Sequence, residues 1–169
     1  MSSAQTRILF LCTGNSARSI LAEAIANAMF GEVIIGASAG SKPKGEPHPM
    51  ALKTLEDHGL PADHWRSKSW DEFRDSPFDL VVTLCDSASE ESCLVFPGTP
   101  VQTHWGFPDP PAAADPEAMF EEVFDGLVEA IGAFVEDANS PVEVRAARAA
   151  ELVRSRFPSG TSGGGGLIV

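Results

Sequence analysis

The sequence predicts an α/β fold, a four-stranded parallel sheet with helices on both faces and an extra helix at the C-terminal end. Three observations lead there. Short apolar runs alternate with segments of helical periodicity, the pattern of strands joined by crossover helices. Two of the runs read as strands buried on both faces, the first of them continuously apolar. Each of those two ends in a cysteine, at the sheet edge where parallel α/β folds bind ligands.

The elements follow in order. "RILFLC" (7–12) reads as the first buried strand. From Ser19 the spacing turns helical, with Ile20, Leu21, Ala24, Ile25, Ala28 and Met29 on one stripe and Gly31 as a stop. "EVIIGASAG" (32–40) is a second strand, and the turn-rich "SKPKGEPHP" follows it. Met50, Leu52 and Leu55 predict a helix over about 49–58, stopped by Gly59. "FDLVVTLC" (78–85) is the third strand and "VQTHW" (101–105) a shorter fourth. Asp115–Pro116 has the form of an N-cap and first-turn proline. The helix behind it carries Met119, Phe120, Val123, Phe124, Leu127, Val128 and Ile131. Ser140-Pro141-Val142-Glu143 matches a capping box and opens a last helix, over 141–157. Residues 1–157 are expected to form one domain, with the glycine-rich 158–169 as a flexible tail.

Composition excludes several functions. The chain has 169 residues and a formal net charge of −12, which argues against a general grip on nucleic acid or an anionic membrane. Any anion site must therefore draw its positive potential locally. No signal peptide or membrane span is visible, so a cytoplasmic location is expected. Three cysteines in such a chain suggest redox, catalytic or packing roles rather than a disulfide framework. No C-x2-C spacing is present to suggest zinc.

"LCTGNSARS" (11–19) is where chemistry concentrates. Thr13, Gly14, Asn15, Ser16 and Ala17 are small or polar, so their backbone N–H groups are able to converge on an oxyanion. The helix that follows points its positive end at the same place. Arg18 adds a planar fork suited to a tetrahedral anion. The same donors favour the thiolate of Cys12, which is its nucleophilic form.

This stretch resembles the phosphate loop of the low-molecular-weight protein tyrosine phosphatase superfamily, and the wider chain looks like its arsenate-reductase branch. The resemblance runs from Arg7 to about Phe157 and includes "SAGSKPKGEPHP", "RSKSWDEF", "VVTLCD" and "HWGFPDP". It implies Cys12 as nucleophile, Arg18 as oxyanion ligand, Ser19 as hydrogen-bond partner of the thiolate and Asp109 as the carboxylate that manages a proton. Two departures from the phosphatase branch point to a small inorganic anion. Ala17 stands where that branch has a second cysteine, and Pro111 and Ala112, not aromatic residues, follow Asp109-Pro110.

The resemblance also implies a relay. Cys12 attacks arsenate, Cys85 resolves the adduct and releases arsenite, and Cys93 then attacks the Cys12–Cys85 disulfide, with thioredoxin reducing the product. Glutaredoxin or a low-molecular-weight thiol serves instead in some relatives. Phosphate and sulfate are expected competitors, weak phosphatase activity an expected side reaction, and a monomer the expected state. The alternative is a hydrolase of phosphotyrosine or small phosphate esters that works through a Cys12 phospho-enzyme. Bland readings stand beside these: Cys85 as a core residue, Cys93 as incidental, Asp109 as a turn-former and His104 as a packed loop residue. Asn15, Glu23 and Ser38 match positions that hold potassium in some relatives. They read equally as a loop-shaping asparagine and a capping or solvent-facing glutamate.

Overall fold

The computed structural model describes residues 5–62, 65–84, 101–137 and 139–157. Its strands are β1 (Thr6–Cys12), β2 (Ile34–Gly40), β3 (Leu80–Thr83) and β4 (Val101–His104). They form one sheet in the order β2-β1-β3-β4, and every pairing is parallel. The helices are α1 (Arg18–Met29), α2 (Pro49–Asp57), α3 (Pro116–Val135) and α4 (Val142–Arg156).

The first and third runs behave as double-sided strands. Along β1, Ile8, Phe10 and Cys12 join the large core built with α1, α2, α3 and α4, while Leu9 and Leu11 join a smaller cluster on the opposite face. β3 divides likewise, Leu80 and Val82 to one side and Val81 to the other. On the smaller side the described cover is Trp70 and Phe73, from a 3-10 turn over Trp70–Phe73, with Phe78 against them. The third apolar run is therefore longer than its strand: Phe78 packs edge-on to Phe73, with ring centroids 5.7 Å apart, before the ladder begins at Leu80.

Helix ends show which local signals prevailed. Asp115 caps α3 as expected, its Oδ1 accepting the Ala118 N–H at 3.2 Å. His48 caps α2, its Nδ1 accepting the Met50 N–H at 3.1 Å. The expected capping box at Ser140 does not form. Pro141 holds the N-cap position with ψ 152°, no side chain caps the helix, and α4 begins at Val142. Ser140 instead donates its hydroxyl to Asp137 Oδ2 at 2.7 Å, a local side-chain bond that competes with capping. α4 is docked on α3 by Arg145, whose Nε donates to the Phe134 carbonyl at 2.8 Å and whose guanidinium sits 4.3 Å from the Phe134 ring centre. No helix of the described residues is long and apolar enough to cross a membrane.

Candidate active site

β1 ends at Cys12 and α1 begins at Arg18, so Thr13–Ala17 turn within five residues at the carboxyl edge of the sheet. β1 is a central strand, so its end lies in the middle of that edge. Asn15 adopts φ 46°, the left-handed region that asparagine tolerates better than most residues. α1 has no side-chain cap, which leaves the donors at its start to the loop and to whatever binds there.

The loop's carbonyls are held outward from behind. Backbone N–H groups of Lys42, Lys44 and His48 donate to the carbonyls of Thr13, Gly14 and Ser16 at 2.9, 3.0 and 2.8 Å. Ser67 Oγ adds a bond to the Gly14 carbonyl at 3.1 Å. With the carbonyls so occupied, the opposite side of the loop is free to present N–H groups, the arrangement of an anion-binding nest. The strap formed by 41–48 approaches closely at Gly40, where a Cβ would lie 2.5 Å from the Thr13 carbonyl oxygen and 3.0 Å from Asn15 N. Glycine is required there by space.

Cys12 is buried, and its Sγ lies 2.9 Å from Ser19 Oγ. Asn15 Nδ2 donates to the same Oγ at 2.7 Å and to Ser38 Oγ at 3.0 Å. With one Ser19 lone pair taken by Asn15, the serine's own proton is free to point at sulfur. Arg18, 12% exposed at its side chain, reaches across to the 105–109 loop. Its guanidinium donates to the Phe107 carbonyl at 3.0 Å and lies 3.4 Å from Asp109 Oδ1. Its Nε is buried with no partner among the described residues. Asp109 is half exposed at the head of a 3-10 turn over Pro110–Ala112. Behind it, Phe107 packs against Phe157 with ring centroids 5.3 Å apart, and the Trp105 indole N–H donates to the Ala146 carbonyl at 3.2 Å. α4 thus holds the loop that carries Asp109.

These groups enclose a cleft of about 530 Å³, lined by the loop, Arg18, Asp109, Pro111, Lys42 and Lys44. No aromatic ring is among the described residues that line it. Of the residues expected at the site, Cys12, Thr13, Gly14, Ser16, Ala17, Arg18 and Asp109 line the cleft. Ser19 and Asn15 are fully buried behind it. Cys85 and Cys93 lie outside the described residues, one and nine positions beyond Leu84. His104 bonds through Nδ1 to Thr83 Oγ1 at 2.7 Å and does not line the cleft. Sequence reasoning missed Lys42 and Lys44, whose only signal was a lysine pair in a turn-rich segment.

The three residues matched to a potassium site surround something else. Lys68 Nζ lies 3.5 Å from Glu23 Oε1 and 3.4 Å from Ser38 Oγ. Glu23 is paired and largely buried, so it neither caps nor faces solvent. Burial pushes the Lys68 ammonium below its ordinary pKa, against the pull of Glu23 in the opposite direction.

Comparison with known proteins agrees with this geometry. The family model for low molecular weight phosphotyrosine protein phosphatase matches residues 7–144. An arsenate reductase of Halalkalibacterium halodurans is 37% identical over 133 residues, covering 76% of this chain and 94% of that protein. The crystal structure of an arsenate reductase from Archaeoglobus fulgidus superposes with a TM-score of 0.59 at 30% identity, over 74% of this chain and 98% of that one. A thioredoxin-dependent arsenate reductase of Corynebacterium glutamicum superposes with a TM-score of 0.59 at 26% identity, over 76% of this chain and 61% of that one. The chain belongs to the low molecular weight phosphotyrosine protein phosphatase family.

Proposed function

We propose that this protein reduces arsenate to arsenite, with Cys12 as the attacking nucleophile. The observation that carries the proposal is the buried Cys12 sulfur held by Ser19 at the base of a cleft whose mouth has Arg18 and Asp109. A tetrahedral oxyanion in the loop meets backbone donors from below and the Arg18 fork from the side, including the Nε that has no partner among the described residues. The thiolate forms a sulfur–arsenic bond as one arsenate oxygen leaves as water. We assign to Asp109, in its protonated form, the proton that turns that oxygen into water.

In the second step the Cys85 thiolate attacks the Cys12 sulfur. The new sulfur–sulfur bond forms as the sulfur–arsenic bond breaks, arsenic keeps the electron pair, and arsenite departs. Cys93 then moves the disulfide outward for reduction, with thioredoxin the favoured reductant because a thioredoxin-dependent arsenate reductase is among the structural relatives. Support for arsenate over an aryl phosphate comes from the absence of a ring among the described cleft residues, where Lys42, Lys44 and Pro111 stand instead. A small, highly charged anion suits such a lining.

The same Cys12, Arg18 and Asp109 also suit hydrolysis of a phosphate ester, and the family name keeps that reading in view. One assay separates the two: arsenate-dependent NADPH oxidation, run with thioredoxin and thioredoxin reductase and separately with a glutaredoxin system. Cys12→Ser should abolish both arsenate reduction and ester hydrolysis. Cys85→Ser should abolish arsenate reduction alone, because hydrolysis never uses a second thiol. Wild-type arsenate turnover by Cys85→Ser would remove the case for the relay.

A further inference from the structure

The cluster behind the phosphate loop has the form of a monovalent-cation site whose centre is filled by the chain itself. Lys68 is 9% exposed. Its Nζ donates to the Arg66 carbonyl at 3.2 Å and to Ser38 Oγ at 3.4 Å, and pairs with Glu23 Oε1 at 3.5 Å. Ser38 in turn donates to Glu23 Oε1 at 2.5 Å. A carbonyl, a hydroxyl and a carboxylate oxygen around a single positive charge are what potassium would seek.

Asn15 is oriented by the same lysine. The backbone N–H of Lys68 meets one Asn15 side-chain atom at 2.8 Å, and an N–H is only a donor, so that atom is Oδ1. The other, Nδ2, therefore faces Ser38 and Ser19. While the Lys68 ammonium holds the centre, potassium does not fit, since an ion there would adjoin that ammonium.

We infer that Lys68 is a tethered cation standing in for potassium, and that it positions the nucleophile through Ser38, Asn15 and Ser19. The ammonium fixes Glu23 and Ser38, and the Lys68 backbone fixes Asn15. Asn15 orients Ser19, and Ser19 meets Cys12 Sγ. Lys68 touches no cleft residue's reacting atom, so it is a positioning residue. In its absence the Glu23 carboxylate faces the loop unneutralised and opposes the Cys12 thiolate. The inference rests on Cys12 as nucleophile only for its reactivity readout.

The test compares the full-length chain with Lys68→Ala in matched potassium and tetramethylammonium chloride. It reads the melting temperature and the pH profile of Cys12 alkylation by iodoacetamide, followed on the Cys12 peptide by mass spectrometry. Wild type should be indifferent to the cation in both. Lys68→Ala in tetramethylammonium should melt lower and alkylate about two- to threefold more slowly below the thiol's ionisation, the size of a half-unit to one-unit pKa rise after the offsetting gain in thiolate nucleophilicity. Potassium should restore both in the variant. A saturable potassium-dependent rise in the wild-type melting temperature would overturn the inference even were the variant unable to fold. So would a variant with the wild-type alkylation profile in tetramethylammonium, or one slowed but not restored by potassium. None of these readouts uses arsenate, so a failed reductase assignment is distinguishable from a failed inference.

Discussion

Ser19→Ala should raise the Cys12 thiol pKa by about one unit, a size that follows from the contacts at Ser19 Oγ. That oxygen accepts from Asn15 at 2.7 Å, which leaves its proton free for Cys12 Sγ, 2.9 Å away. A hydrogen bond to a charged group contributes about 1.5–3 kcal/mol, and one to a neutral group about 1. The thiolate is thus favoured over the thiol by about 0.5–2 kcal/mol, and about 1.4 kcal/mol, inside that range, is about one pKa unit. Reactivity changes by less than ionisation. A more basic thiolate is a better nucleophile, with a Brønsted slope of about 0.4–0.5, so the tenfold lower thiolate fraction is offset about threefold. The variant should be about threefold slower than wild type at low pH and about threefold faster once both thiols are ionised. The two pH–rate profiles for Cys12 alkylation, mapped on its peptide, should therefore cross. Parallel profiles, or a uniform loss at every pH, would show that Ser19 holds the loop's shape without tuning the thiol.

Three further outcomes follow from the same geometry. Arg18→Lys should raise the inhibition constant for phosphate by about tenfold or more, because an ammonium cannot keep the two-pronged contact and also reach the Phe107 carbonyl; isothermal titration gives the number, and an unchanged constant would put the arginine outside the site. Gly40→Ala should lower the melting temperature and abolish phosphate binding, since its Cβ would lie 2.5 Å from the Thr13 carbonyl oxygen, a backbone atom that cannot step aside. Asp137 is held below the usual aspartate pKa first by the Ser140 hydroxyl. A carboxylate depressed in the folded state contributes stability above its unfolded pKa and loses it as pH falls through the folded one; Ser140→Ala should therefore move acid unfolding, followed by circular dichroism, to higher pH.

The sequence made the centre of this site legible because nucleophile, loop and arginine are contiguous. Cys12 to Ser19 is one strand end, one turn and one helix start, and both flanking patterns are local. The strap was less visible. Lys42 and Lys44 reach the cleft because β2 lies beside β1 with Cys12 opposite Gly40, a register that only tertiary pairing fixes. Lys68 was hidden for the same reason: it bonds Asn15 across 53 residues, and nothing in "RSKSW" distinguishes a buried lysine from a solvated one. At Ser140 a local signature misled because a second local bond, to Asp137, competed for the same hydroxyl. The segment expected to carry Cys85 and Cys93 lies outside the described residues.

A chain with a formal net charge of −12 would be expected to repel a multiply charged oxyanion, yet the cleft is built for one. The resolution lies in range. At physiological ionic strength, interactions between exposed charges fade over about 8 Å, so most of the acidic surface acts weakly on an anion already seated in the loop. What acts strongly is whatever lies within contact and is shielded from water: backbone donors, the start of α1, and Arg18 at 12% side-chain exposure. Among the nearby acids, Asp109 is half exposed and 3.4 Å from Arg18, and Glu23 is paired with Lys68. Both of these carboxylates are thus held against a cation, which leaves the field at the cleft centre to the donors. Lys42 and Lys44 at the mouth then extend that local reversal of sign outward, to where an approaching anion would otherwise meet only the negative surface.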